Sequence, residues 1–253
     1  MEGFYVQVTS IDEVIQRLDE IIHWASNERN RLGYFAALYR KVTIRVKEGI
    51  EDGFFEDGER MERLDVVFAN RYFEAFDQYQ NGRVPTRSWR VAFDNSKHWW
   101  PIVLQHLLLG MNAHINVDLG IAAARTSPGD TVHELKNDFD KINDILASLV
   151  DGVERELAHI WPMLKLLDRI LGRSEEVLIN FSMRKARDHA WNVALQFAPL
   201  AAHKWSSKLD GLDKEIAALG RKIRYPGLII GLKVKLIRLG ELGTISQIID
   251  ILK

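Results

Sequence analysis

Gln105-His106-Leu107-Leu108-Leu109-Gly110-Met111-Asn112-Ala113-His114-Ile115-Asn116-Val117-Asp118-Leu119 is apolar almost all the way round a helix, yet it carries six polar side chains. A helix apolar on every side is either central in a globular domain or spans a membrane. A span needs about 20 predominantly apolar residues, and here a polar residue interrupts every few positions. The sequence therefore predicts a buried central helix over about 101–125. Pro101 suits its first turn, and no proline follows from Ile102 to Ala124.

At about 100° per residue, His106, Gly110, His114, Asp118 and Ile121 share an arc of roughly 120°, and Gln105, Asn112 and Asn116 gather opposite. A buried polar group left unpaired costs about 1–3 kcal/mol, so both rows need partners from other helices. Gly110 and Ala113 would let a neighbouring backbone approach. His114 and Asp118 lie about 6 Å apart along the axis and form one layer that could share a metal ion. His106 is about 12 Å from His114 along the axis, which makes it a second layer or a general acid or base.

Working outward, the chain has 253 residues, 47% of them hydrophobic and 27% charged, an ordinary globular composition. A net charge of −1 with interleaved signs gives no electrostatic footprint for nucleic acid. The absence of cysteine excludes disulfides, thiolate metal sites and a cysteine nucleophile. The start, Met1-Glu2-Gly3-Phe4-Tyr5, lacks a basic segment followed by an apolar core, so a cytoplasmic location is expected.

Ser10-Ile11-Asp12-Glu13 reads as a capping box, and Val14, Leu18, Ile21, Ile22 and Ala25 continue as one stripe to about Arg29. Tyr34 to Glu51 reads as a second helix despite β-branched Val42-Thr43-Ile44-Arg45-Val46. Arg60 to Tyr79 is a third. On it Asp65 turns toward the core, as a carboxylate partner for the central helix or in a salt bridge to Arg71 or Arg63. After the loop Asn81-Gly82-Arg83-Val84-Pro85, the aromatics Trp89, Phe93, Trp99 and Trp100 either pack at a helix junction or wall an apolar pocket.

Beyond Ser127-Pro128-Gly129-Asp130, a helix is expected from about Thr131 to His159, with Asp138 and Asn143 flanking its stripe. Ser174 caps a further helix from Glu175 to about Lys208, kinked at Pro199, whose inner face includes Arg184, Asp188, Trp191 and Leu195, with Arg187 and His189 alongside. Packing this second polar cluster on the central helix would make one site. Residues 209–253 read as a helical appendage packed on a 1–208 bundle domain. In it the apolar, basic stretch 227–238 is expected to cover the bundle rather than lie on a membrane.

No P-loop, dinucleotide fingerprint, Gly-x-Ser-x-Gly elbow or His-Glu-x-x-His occurs. Two Glu-x-x-His tetrads do, Glu20–His23 and Glu156–His159. A dimetal centre also needs two inward glutamates on other helices, and the sequence offers none. The central motif, extended to Gly120, resembles the signature of an uncharacterised, mainly bacterial, all-helical family catalogued as a domain of unknown function. Phe68-Ala69-Asn70-Arg71-Tyr72, Asp138-Phe139 with Ile142-Asn143, and Arg187 with Ala190-Trp191 match it too. The resemblance implies an all-helical fold and no particular activity.

The expected architecture is thus an all-α bundle around a buried helix. The leading functional expectation is an enzyme acting by hydrolysis or elimination on a small molecule in a polar pocket. His114 and Asp118, with Asp65 or Asp188, would bind a divalent metal ion or position a water. His106 would be the general base or acid, Asp188 would join the catalytic group and Arg187 would steady an anionic substrate group. Asn112, Asn116, Asn143, Trp99 and Trp191 would line the ligand site. The rival is a non-catalytic ligand- or partner-binding protein in which the same residues form a structural hydrogen-bond network.

Overall fold

The computed structural model describes residues 6–146, 149 and 183–253. Every regular element among them is helical. The first is α1 (Ile11–Asn27), whose N-cap Ser10 accepts from the Glu13 backbone N–H at 3.2 Å. Glu13 reaches back one residue further than a capping box requires, accepting from the Thr9 N–H at 2.6 Å. In α2 (Leu32–Glu51) the β-branched run is helical, and the Thr43 hydroxyl donates to the Tyr39 carbonyl one turn earlier. Packing on α1 and α3 (Gly58–Gln80) overrides the local strand preference.

Asp138 lies on the helical stretch 136–146, which we call α7, entered through a 3-10 segment, Gly129–Leu135. Both its oxygens accept backbone N–H groups of Glu56 and Asp57, so it caps the start of α3 from another helix. The Glu56 and Asp57 N–H groups and the nearby Lys141 ammonium outweigh the cost of burial and hold its pKa below the ordinary carboxylate value. Asp213 does the same for α4 (Arg87–Asn95), accepting from the Arg87 N–H and from the Ser88 N–H and hydroxyl.

The central helix is one apolar rod in three parts: α5 (Val103–Ala113), a π-helical segment His114–Leu119, and α6 (Gly120–Thr126). Val103–Thr126 is long and apolar enough to cross a membrane by length and composition, yet 94% of its most apolar window is buried within the bundle. Its first half joins a core built with α1, α2 and α3 around Phe35, Tyr72 and Trp89. Its second half joins another core with α7 and with α8 (Met183–Phe197), around Phe139 and Phe197. The rod thus ties two apolar clusters together.

Close approach is achieved at glycines. A side chain at Gly110 would overlap the Phe35 ring, and one at Gly120 would place its Cβ 2.5 Å from the Ala190 carbonyl oxygen of α8. Because that obstacle is backbone, Gly120→Ala is expected to destabilise the protein by about 1–3 kcal/mol in urea unfolding. An unchanged midpoint would show that α8 can move away freely.

The polar row Gln105, Asn112 and Asn116 faces α9 (Trp205–Arg224). Gln105 Nε2 donates to the Ile223 carbonyl at 2.8 Å, and Asn112 Nδ2 donates to the Ile216 carbonyl at 3.0 Å. The expected break at 208/209 falls inside α9, which packs on α4 and α5. The expected helix 175–208 instead stops at Phe197, because Pro199 follows, and the chain restarts at Trp205. Two short helices end the chain, α10 (Leu228–Gly240) and α11 (Ile245–Leu252), the latter packed on α1 and α2.

Candidate functional site

His114 and Asp118 meet where the central helix widens into its π-helical segment, a geometry common at functional sites. His114 Nδ1 is 3.3 Å from Asp118 Oδ2. Both residues are buried, Asp118 to 1% exposure. Two helices complete the carboxylate's shell. From α3, Arg71 Nε donates to Oδ1 at 2.7 Å, and from α4, Trp89 Nε1 donates to Oδ2 at 2.8 Å.

Burial alone would raise the Asp118 pKa, but the Arg71 guanidinium, His114 and the Trp89 N–H outweigh it and hold the carboxyl below its ordinary range. For His114 burial prevails over the pull of Asp118, so its pKa is lowered and the imidazole is neutral. A carboxylate can only accept, so Nδ1 must carry the proton and Nε2 the lone pair. That Nε2 atom is buried without a hydrogen-bond partner.

The imidazole is clamped by aromatic rings. Phe68 of α3 stacks on it with centroids 3.5 Å apart and planes 8° from parallel, and Tyr39 of α2 meets it edge-on at 4.6 Å. The Tyr39 hydroxyl is buried without a hydrogen bond of good geometry. Burial, the Asp65 carboxyl and Asp118 all act to push its pKa well up. Asp65 lies one turn before Phe68 on α3, buried, and its Oδ2 has no partner. Burial, with a smaller contribution from Glu62, raises its pKa to about 7. The expected salt bridge from Asp65 to Arg71 does not form, because Arg71 is committed to Asp118.

Other expected site residues lie elsewhere. His106 is a separate layer: Nδ1 bonds the Asn95 carboxamide at 3.2 Å, and the ring meets Tyr34 edge-on. Burial, reinforced by the Arg31 and Arg238 guanidinium groups, lowers its pKa to about 3. It is therefore an uncharged core imidazole through the neutral range; its Nε2, like that of His114, has no hydrogen-bond partner, but no carboxylate orients the ring. Asn116 donates to Asn112 Oδ1 at 3.2 Å, so both amides serve as ties within the rod and to α9.

Asp188 and Arg184 are exposed, which corrects the expected inner face of α8. The buried face is Ala186, Arg187, Ala190, Val193, Ala194 and Phe197, with Ala190 and Val193 packed directly against Gly120. Arg187 is buried, lies over the Phe139 ring and donates to the Phe139 carbonyl, and burial lowers its pKa to about 10. Trp191 also packs on Phe139, and Asn143 is half-buried on α7. Trp99 is exposed beside Trp100, away from the dyad.

Among the described residues no group of three or more His, Asp or Glu side chains is placed so that it could hold a metal ion, the expected trio His114, Asp118 and Asp65 included. Glu20 and His23 point outward, to Arg17 and Asn27. Glu156 and His159, like the expected Ser174 cap, lie outside the described residues. Arg71, Trp89, Phe68 and Tyr39, which surround the dyad, were not among the residues expected there. Phe68 and Arg71 stood in the matched motif Phe68–Tyr72, the one signal that could have pointed to them.

Searches of curated proteins and of solved structures return no match. A family model does match, over residues 11–226, and so spans the dyad, its shell and α9. The chain belongs to DUF5995, a family of unknown function.

Proposed function

We propose that the protein is an enzyme that performs acid–base chemistry, a hydrolysis or an elimination, on a small uncharged molecule held inside the bundle. The observation that carries this reading is the unpartnered Nε2 of His114. An imidazole whose Nδ1–H is held by a buried carboxylate presents its lone pair on the far side, the arrangement of an oriented general base. The proton donors on offer are the Tyr39 hydroxyl, whose ring meets the imidazole, and the Asp65 carboxyl, which acts on Tyr39 and titrates near 7. A raised carboxyl and a lowered imidazole, both interacting with Tyr39, follow the pattern that divides acid and base roles.

An uncharged substrate is favoured because Arg71, the cation bonded to the dyad, is already neutralised by Asp118. Metal assistance draws less support. Both Asp118 oxygens and His114 Nδ1 are taken, which leaves His114 Nε2 and Asp65 as donors. The rival reading, a non-catalytic helical protein with a structural polar network, is favoured by that same full pairing of Asp118.

Turnover on a panel of neutral esters, amides, epoxides and β-hydroxy carbonyl compounds separates the two. Wild-type activity is expected, falling about 10²–10⁴-fold in His114→Gln with the helical circular dichroism unchanged. Full activity in a folded His114→Gln protein, or no turnover of any class by wild type, defeats the enzymatic reading.

A further inference from the structure

Helix α10 covers the bundle through a narrow seam, Val234 and Ile237, and turns the rest of its apolar surface outward. Leu228, Ile229, Leu232, Leu236 and Leu239 share one arc of roughly 120° with a single charge, Lys235, among them. Their exposures run from 56% at Leu236 to 94% at Leu228. Trp99 and Trp100, each about half exposed, extend the apolar area, as do Tyr225 and Leu242. Contiguous exposed surface of this kind marks an interaction site, where single exposed leucines would not.

Two observations indicate what covers it. From Ile216 to Gly240 there is no Asp or Glu, while Arg221, Lys222, Arg224, Lys233, Lys235 and Arg238 are all basic, in a chain whose net charge is −1. Cations also sit over the aromatic rings at the rim: the Arg238 guanidinium is 4.7 Å from the Trp99 ring centre and Lys235 Nζ is 5.4 Å from that of Trp100. Leucines flanked by basic side chains with tryptophan at the boundary suit an acyl–headgroup interface, where Trp and Lys or Arg place apolar bodies inward and polar ends outward.

The surface is preformed. Arg238 Nε donates to the Trp99 carbonyl at 2.7 Å, and Glu241 accepts from the Val103 N–H while pairing with Arg238, so α10 is pinned to the mouth of the central helix. A second copy of the chain fits less well, since a two-fold interface would set this basic rim against itself.

We infer that the outer face of α10, with Trp99 and Trp100, docks the protein on an anionic lipid bilayer, laying the helix in the interface plane. This goes beyond the interior chemistry and does not depend on it. The test is co-sedimentation of the full-length protein with vesicles of phosphatidylcholine alone or mixed with phosphatidylserine, at low and high salt. Binding to the mixed vesicles is expected, weakened by salt and by removal of phosphatidylserine.

Leu232→Gln combined with Leu236→Gln, both at exposed positions, should weaken binding by at least about tenfold. Lys235→Glu, at the tryptophan rim, should weaken it by about fivefold. No binding to the mixed vesicles, or equal binding by the leucine variant, overturns the inference. So does a lipid-free dimer that the leucine variant converts to monomer, because the face would then belong to a second copy.

Discussion

Asp118→Ala is expected to destabilise the protein by about 3–5 kcal/mol, a large share of the ~5–15 kcal/mol of a typical fold. The loss would come less from missing contacts than from what stays behind. Arg71 would keep a guanidinium with 11% side-chain exposure and no counter-charge, and the Trp89 N–H would be buried with no acceptor. An apolar replacement of both charges should therefore recover part of the loss: Asp118→Leu with Arg71→Met should be more stable than Asp118→Leu alone. Urea denaturation of the single and double variants measures this. A midpoint for Asp118→Ala within about 1 kcal/mol of wild type would mean the pair is worth no more than a surface salt bridge.

Asp65→Asn should act in the opposite direction, and only at the higher pH values. The unfolded Asp65 carboxyl titrates near 3.9 and the folded one near 7. The native state thus binds the proton more tightly, and the carboxyl's contribution to stability falls as pH rises through that window, then levels off. At 1.36 kcal/mol per pKa unit, the penalty removed by Asn approaches ~4 kcal/mol above pH 7 and vanishes below about pH 4. The quantity to measure is the stability difference between variant and wild type from pH 4 to 8. Parallel profiles would show that the Asp65 carboxyl is not held protonated in the fold.

Comparing the two proteins cancels the histidines, which act in the other sense. Buried neutral His106 and His114 have lowered pKa values. Their contribution is intact above the ordinary histidine value and is lost as pH falls below it. Asp118, also lowered, adds to loss of stability in acid. The same Asp65→Asn variant bears on the proposed chemistry, since an amide cannot supply the proton that a carboxyl titrating near neutrality can.

Local features were legible because they depend on neighbours in the chain. The helical phase of α1 and α3, the Ser10 cap and the buried rod around Gly110 follow from apolar spacing and short-range hydrogen bonds. So does the His114–Asp118 layer, four residues apart on one helix. By itself, then, the sequence determined that the chain is an all-helical bundle on an interior helix carrying an imidazole beside a carboxylate.

Only the tertiary structure decided what surrounds that pair. Arg71, Trp89, Phe68 and Tyr39 come from three other helices, and no spacing within the chain encodes which of several inward polar or aromatic residues lands on Asp118 or His114. It also decided the orientation of α8. The bulkier stripe through Trp191 and Leu195 looked like the inner face, but Gly120 brings the two backbones together at Ala190 and Val193, and that face packs there. That rotation turns Asp188 to solvent and Arg187 inward. Close approach of the backbones at Gly120, together with burial of Val193 and Phe197, set that choice.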